Sequence, residues 1–234
     1  MGAGHYEFIT AAQDDIKRRV IGGAQELWQI DDQPAHRLGE GRSRGAELAR
    51  LAEQHPGLEI DARFSDAYVD LIRDGIDVAI RAGEMQDSTL VARRFASQQL
   101  VLVAAPSYLR AQGEPRSLED LSAHRHILFR MPTSGRERPQ QFTVKRKTVS
   151  LHPARGMRLN DGEAMVQAAV LGAGLAQVPD YMAAADIAAG RLVEVLAGHR
   201  PPEMAIYAVM PASRMVPPRV RVLLDALEAW PPAR

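Results

Sequence analysis

The chain contains no cysteine, which excludes a disulfide framework and any zinc site built from cysteine thiolates. It also carries no net charge, because 29 lysines and arginines balance 29 aspartates and glutamates. A protein that binds nucleic acid on its own usually carries an excess of positive charge, so this balance argues against such a function. No apolar run approaches the roughly 18 residues of a membrane span, and the first residues lack the basic start and apolar centre of a secretory signal. We therefore expect a cytoplasmic protein that makes no contact with a membrane.

The 234 residues, of which 46% are hydrophobic, suffice for one large domain or two small ones. Residues 1–45 form an atypical N-terminal segment with six basic and seven acidic residues, in which no helix-turn-helix can be recognised. Within it, residues 11–27 are compatible with a helix interrupted at Gly22-Gly23, and residues 31–45 have the polar, glycine-rich composition of a loop.

From Ala46 onward, strands and helices alternate, which predicts an α/β fold with a mostly parallel sheet. Strands are predicted from Leu58 onward and over residues 76–80, 100–105, 175–178 and 192–196. Helices are predicted over residues 46–54, 65–75 and 164–171, after the capping residue Ser117, and from Pro217-Pro218 through Trp230.

The most informative run begins at Ser65. Either Ser65 or Asp66 can cap the predicted helix, because a short side-chain oxygen accepts a backbone N–H of the first turn. Gly75 can take the left-handed conformation that ends the helix. The buried strand 76–80 follows, and Ala82-Gly83 leaves its carboxyl end. In open α/β sheets, ligands bind just beyond the carboxyl ends of strands, so we expect this loop to be functional.

Two patterns that suggest chemistry are better explained without it. Residues 41–45 match the G-x-S-x-G nucleophile elbow, with Ser43 as the nucleophile of a serine hydrolase, but the elbow needs a strand directly before it and residues 36–40 do not resemble one. His124 and His126 lie two apart, which points them to opposite faces of a strand, whereas metal sites need three or four convergent ligands. We predict no catalytic residue, no metal site and no cofactor.

Residues 125–158 carry nine basic residues and a single acidic one, Glu137. Such a run can attract DNA or an anionic effector. Because charge runs usually face water, the preferred interpretation is a solvated hairpin region balanced by acidic residues elsewhere in the chain.

Several blocks, in this order and spacing, resemble the effector-binding domain of LysR-type transcriptional regulators, in particular the subgroup of the glycine-cleavage activator. The resemblance extends from about Leu48 to Leu227. The blocks are H-P-G-L-E at 55–59, D-A-Y-V-D-L-I-R-D-G-I-D-V-A-I-R-A-G at 66–83, D-S-T-L-V-A-R-R at 87–94, V-L-V-A-A-P-S-Y-L at 101–109, L-N-D-G-E-A at 159–164, G-L-A-Q-V-P at 174–179 and I-Y-A-V-M-P at 206–211.

The resemblance implies two Rossmann-like lobes joined by two crossing strands, as in type II periplasmic binding proteins. Carried over to residues 46–234 of this chain, the first lobe spans about 46–104 and 208–234, and the second about 107–205. A small effector, a carboxylate or an amino acid, would bind in the cleft between the lobes.

In such a two-lobe fold, helix N-termini and strand carboxyl ends converge on the cleft, where exposed N–H groups bind carboxylates. Asn160 and Glu163 form a capping-box pattern, and Val178-Pro179 ends a strand. We predict that four pairs line the effector site: Ser65 and Asp66, Ala82 and Gly83, Asn160 and Asp161, and Val178 and Pro179.

The family also implies a homodimer or tetramer, in which the antiparallel pairing of subunits would place Leu51 and Leu58 partly at an interface. Operator DNA would be bound only through a winged helix-turn-helix, which is missing from this chain, and the strand that opens the family's effector domain is not recognised either. A truncated or frame-disrupted reading frame is one explanation, and a divergent start is the other. The alternative function is a solute-binding module with the same fold, and a serine hydrolase using Ser43 is the third.

Overall fold

The computed structural model describes residues 6–12, 44–65, 70–83, 90–131, 134–212 and 216–228. Within these ranges the chain divides into two units: the first holds the residues up to Ser97 and those from Ala205, and the second holds residues 98–204. The strands are β1 (Tyr6–Ala12), β2 (Glu59–Ser65), β3 (Val78–Ala82), β4 (Leu90–Gln98), β5 (Leu100–Ala104), β6 (His126–Phe129), β7 (Gln140–Val144), β8 (Lys147–Leu151), β9 (Gly156–Leu159), β10 (Leu175–Pro179), β11 (Val193–Val195) and β12 (Met204–Pro211). The α-helices are α1 (Arg44–Gln54), α2 (Pro106–Gln112), α3 (Gly162–Val170), α4 (Asp180–Ala188) and α5 (Pro218–Glu228), and short 3-10 helices span Glu119–Ala123 and Ala197–His199.

The sheet of the first unit has the strand order β2-β1-β3-β12-β4. Strand β1 pairs antiparallel with both β2 and β3, and β3 pairs antiparallel with β12. The prediction of a mostly parallel sheet is therefore wrong for these pairings. Alternation of strands and helices suggests parallel neighbours only when consecutive strands pair, whereas here β1 and β12, from opposite ends of the chain, flank β3.

Strand β1 lies inside the segment that the sequence suggested to be atypical. Its first five residues, Y-E-F-I-T, combine aromatic and β-branched residues, which favour strands. The helix considered for residues 11–27 is wrong at Ala11 and Ala12, which belong to β1, and its remaining residues lie outside the described ranges.

The core of the first unit forms where α1 and α5 meet the sheet. All five residues of β3 are buried, and α5 begins at Pro218, as predicted. Its apolar positions Val220, Leu223 and Leu224 are each at most 4% exposed. Leu51 of α1 is 4% exposed in the same core, so most of its side chain packs within its own subunit, and that Leu51 and Leu58 lie partly at an interface stays a prediction.

The helix predicted over residues 65–75 is replaced, in its described part, by a turn over residues 71–75. The Oδ1 atom of Asp70 accepts hydrogen bonds from the backbone N–H groups of Ile72 and Arg73, both at 3.1 Å. Asp70 thus caps the turn, a role that the sequence analysis gave to Ser65 or Asp66. Gly75, with a φ of 68°, takes the left-handed conformation that was expected of it.

The sheet of the second unit has the order β11-β5-β10-β6-β9. Strand β6 is parallel to both β10 and β9, while β5 is antiparallel to β10 and β11. Every residue of β5 and β10 is buried, so these two strands form the centre of the core. Residues 98–104, assigned from the sequence to the first lobe, lie in this unit, because β5 pairs with β10.

Two buried histidines lie at and before the start of β6. His126 is 2% exposed, and its Nε2–H donates to the carbonyl oxygen of Leu121 at 2.8 Å. His124 is 6% exposed, and its Nδ1 lies 3.2 Å from the hydroxyl of Tyr108, which itself accepts the N–H of Arg125. Burial lowers the pKa of both imidazoles below their ordinary value of 6.5, because the charged form loses its hydration.

We predict that acid destabilises the second unit through these two histidines. Since their folded-state pKa values lie below the unfolded value, the unfolded chain binds more protons, and the free energy of unfolding falls as the pH drops from about 7.5 to about 5.5. Urea unfolding at both pH values should show this loss. The double variant H124Q/H126Q, although less stable, should lose less between the two pH values than the native chain. The exposed His152, replaced by glutamine, serves as the control. An unchanged loss in the double variant would contradict the assignment.

Candidate functional site

The carboxyl ends of three parallel strands meet at one edge of the second sheet. Strands β9, β6 and β10 are neighbours in that order and run in the same direction. Asn160-Asp161 follows β9 directly, and Val178-Pro179 ends β10. With roughly 4.8 Å between adjacent strands, the two pairs lie on either side of the end of β6. The structure therefore brings these two predicted pairs to a common edge.

Helix α3 starts at this edge, and its N-cap is Asp161. The Oδ1 atom of Asp161 accepts the backbone N–H of Ala164 at 2.7 Å, and its backbone is extended, with φ −136° and ψ 130°. The prediction that Asn160 caps the helix in a box with Glu163 is wrong. Asn160 is exposed and precedes the cap, which leaves its side chain available to solvent or to a ligand.

Helix α4 starts beside α3. Val178 and Pro179 are buried in β10, so what they offer to a ligand is backbone. The start of α3 contacts α4, because a Cβ atom built on Gly162 would come within 2.8 Å of the sulfur of Met182. The two helix N-termini, each with the positive end of its peptide dipoles, are thus neighbours at this edge.

The carboxylate of Asp180 occupies the first turn of α4. Its Oδ1 atom accepts the N–H groups of Tyr181 at 2.9 Å and of Gln99 at 3.3 Å. Burial raises the pKa of this carboxyl, although these hydrogen bonds and the nearby Arg200 act in the opposite direction. Gln99 lies between β4 and β5, where the chain enters the second unit, and its side-chain amide donates to the carbonyl of Pro201 at 2.9 Å, near where the chain leaves it.

The end of β6, the middle strand of this edge, is not among the site residues predicted from the sequence. Phe129 ends the strand, and the exposed Arg130 follows it, with its backbone N–H donating to the carbonyl of Leu159 at 2.7 Å. The guanidinium of Arg138 lies over the ring of Phe129, 5.1 Å from its centre. The available signal is an arginine directly after an apolar run, but Arg130 lies within residues 125–158, for which the charge run favours a solvated hairpin region.

The other predicted site residues belong to the first unit. Ala82 is 8% exposed at the end of β3, and Gly83, with a φ of 103°, donates its N–H to the carbonyl of Ala205 at 3.0 Å. Ser65 is the last residue of β2, while Asp66 lies outside the described residues. That these residues and those of the second unit line one effector site stays a prediction.

Other kinds of site find little support in the described ranges. No group of three or more potential metal-ligating side chains occurs among the residues that the structure describes. Within the same part of the chain, no helix is long and apolar enough to cross a membrane. Ser43, the nucleophile of the hydrolase alternative, lies outside it.

A family model described as the LysR substrate binding domain matches residues 47–231. The chain belongs to this family. An HTH-type transcriptional regulator of Haemophilus influenzae is 30% identical over 74% of this chain and 59% of its own length. The regulator PtxR of Pseudomonas aeruginosa is 35% identical over 76% of this chain and 57% of its own length.

Among solved structures, the regulatory domain of CrgA, a LysR-type transcriptional regulator from Neisseria meningitidis, matches with a TM-score of 0.69 at 28% identity. The match covers 79% of this chain and 90% of that domain. Family membership confirms the resemblance drawn from the sequence blocks and the α/β fold that it implied. This LysR substrate-binding chain spans rather more than half of the length of the two curated relatives.

The cap assignment can be tested by stability. Asp161→Ala should lower the free energy of unfolding by about 1 kcal/mol, because the Ala164 N–H loses its acceptor, while Asp161→Asn should cost less because an amide oxygen can replace the carboxylate. Asn160→Ala, at an exposed position, should stay within about 0.5 kcal/mol of the native chain. Urea or thermal unfolding of the three variants measures this order. A larger loss for Asn160→Ala than for Asp161→Ala would restore Asn160 as the cap.

Proposed function

We propose that this chain is the effector-binding part of a LysR-type transcriptional regulator of the cytoplasm, which binds a small molecule and catalyses no reaction. The observation that carries the proposal is the edge of the second sheet, where two helix N-termini adjoin the ends of three parallel strands. Arg130 and Asn160 are exposed at this edge. Such an edge can hold a small polar ligand by charge and hydrogen bonds without any reacting group.

The charges at the edge favour an amino acid over a simple carboxylate. Arg130 and the helix dipoles attract a carboxylate group. The carboxylates of Asp161 and Asp180, however, occupy the first turns of α3 and α4 and satisfy N–H groups there. A purely anionic ligand would meet both negative charges, whereas the ammonium group of an amino acid can face them. Both ligand types belong to the predicted effector class, and the amino acid suits this edge better.

The proposed regulatory step is a shift of populations. An effector that binds one arrangement of the protein better than another moves the equilibrium toward it, by no more than the difference in binding free energy. Such a change would pass to a homodimer or tetramer and then to a winged helix-turn-helix that contacts operator DNA. The relatives' names, which are those of HTH-type transcriptional regulators, support this route.

We predict that amino acids raise the melting temperature of the chain more than their deaminated analogues do, for example alanine more than propionate. A ligand that binds only the folded state stabilises it by mass action. Arg130→Gln should weaken the effect through loss of a charge-assisted hydrogen bond, and Asn160→Asp through repulsion of the ligand carboxylate. Each should raise the dissociation constant on the order of tenfold, or about 1.4 kcal/mol. Thermal unfolding followed by titration calorimetry measures both.

The matched control is Arg136→Gln, which removes the same charge at another exposed arginine. It should leave the dissociation constant unchanged. If every stabilising ligand binds the Arg130 and Asn160 variants as tightly as the native chain, this edge is not the effector site. If the deaminated acids bind as well as the amino acids, the preference for an ammonium group is wrong.

A further inference from the structure

The hairpin of β7 and β8 turns through two cationic residues in an unusual conformation. The register pairs Val144 with Lys147, which leaves Lys145 and Arg146 as a two-residue turn. Their φ angles are +47° and +65°, the left-handed values of a type I′ turn. Such turns strongly prefer asparagine and glycine, because other side chains are strained at positive φ. The chain thus keeps two long cations where the backbone alone would favour Asn-Gly.

The strands below this turn are firmly attached to the second unit. Phe142 of β7 is 2% exposed and packs in a core cluster with Leu102 and Tyr108. The side-chain amide of Gln177 forms two hydrogen bonds with the backbone of Gln141, at 2.9 and 2.7 Å. The Nδ1–H of His199 donates to the carbonyl of Thr143 at 3.0 Å. The turn is therefore presented by an ordered ribbon, and its strain is maintained by tertiary contacts.

The turn concentrates positive charge that neighbouring acids do not neutralise. Lys145, Arg146 and Lys147 are consecutive and exposed, and none of them forms an ion pair with any residue in the described ranges. Glu137, the single acid among residues 125–158, already pairs with Arg158. The strained conformation, the ordered support and the three cations without an ion pair among the described residues together favour a binding role for the tip, since a solvated loop needs none of the three.

We propose that the tip formed by Lys145, Arg146 and Lys147 is a contact surface for the phosphate backbone of duplex nucleic acid. A two-stranded ribbon fits the major groove of DNA, and lysine and arginine are the usual phosphate contacts. The tip carries no aromatic residue on which unpaired bases could stack, which favours a duplex over a single strand. It also carries no exposed apolar residue of the kind that forms the centre of a protein interface, which argues against an acidic protein.

This surface goes beyond the proposed effector site and does not depend on it. The contact is to phosphates, so it carries no sequence selectivity. It would add a sequence-independent contribution to DNA binding by any longer protein or assembly that contains this chain.

The test uses the 234-residue chain and a labelled random-sequence duplex of about 30 base pairs, long enough for several phosphate contacts, with affinity measured by fluorescence anisotropy between about 50 and 200 mM KCl. The native chain should bind with a salt-dependent affinity. The variant K145N/R146G should lose about two phosphate contacts, which lowers the slope of log K against log salt by about 1.8. Its melting temperature should not fall, because Asn-Gly is the preferred I′ pair. Weaker binding by a fold that is at least as stable separates recognition from misfolding.

The matched control is R110Q/R116Q, which removes two positive charges from other exposed positions of the same unit. It should keep the native slope. The proposal is wrong if the native chain does not bind the duplex at about 50 mM KCl. It is also wrong if both double variants lower the slope of log K against log salt equally, because the effect would then come from net charge alone. Polyglutamate serves as a second probe, which stands for an acidic protein. If K145N/R146G still binds the duplex but no longer binds polyglutamate, the partner is an acidic protein and the proposal of a duplex contact is wrong.

Discussion

The attachment of β7 to the core of the second unit depends on the hydrogen bonds of one buried side-chain amide, that of Gln177. Gln177 lies in β10, a strand with no exposed residue, and an unpaired amide there would cost about 1–3 kcal/mol per lost hydrogen bond. Its two side-chain bonds to the backbone of Gln141 imitate a strand pairing and fix β7 against the core. The same strand ends at Pro179, where α4 begins. One strand thereby positions both the cationic hairpin and the edge proposed to bind the effector.

Two aspartates define the electrostatics of that edge. Asp161 and Asp180 each satisfy backbone N–H groups at the start of a helix, so part of the positive potential of each helix is already used within the chain. Asp180 also accepts the N–H of Gln99, at the point where the chain enters the second unit. Structural capping and ligand selection are therefore linked, because the groups that order the helices also decide which ligand charges are tolerated.

The sequence predicted those features that local chemistry decides. Gly75 has the positive φ value expected at the end of its element, α5 begins at Pro218, and the strand ending at Val178-Pro179 is observed with a difference of one residue. The capping residue of α3 was missed by one position. Two adjacent residues, Asn160 and Asp161, can both cap, and the choice depends on where β9 ends and on which residues of α3 face the sheet.

Non-local pairing explains the other differences. Strand β1 was not predicted, although its first five residues favour a strand, because its pairing partners β2 and β3 begin some fifty residues or more further along the chain. The prediction of parallel strands in the first sheet was wrong for the same reason, because the strands that pair there are far apart in the sequence. In place of the helix expected near Asp66, the described residues form a turn in which the Asp70 carboxylate accepts two backbone N–H groups. The periodicity of apolar residues does not distinguish between a helix and such a turn.

The division of the chain has a consequence for biosynthesis. The second unit is one uninterrupted stretch, whereas the first is assembled from segments on both sides of it. Helix α5 contributes Leu223 and Leu224 to the first core, and Arg219 forms a bidentate ion pair with Asp77, with both contacts at 3.1 Å. During synthesis on the ribosome, the second unit can therefore complete its core first. The earlier strands of the first unit stay incompletely covered until the last helix has been synthesised. Premature termination before residue 218 would spare the inserted unit and leave the flanking one without its closing helix.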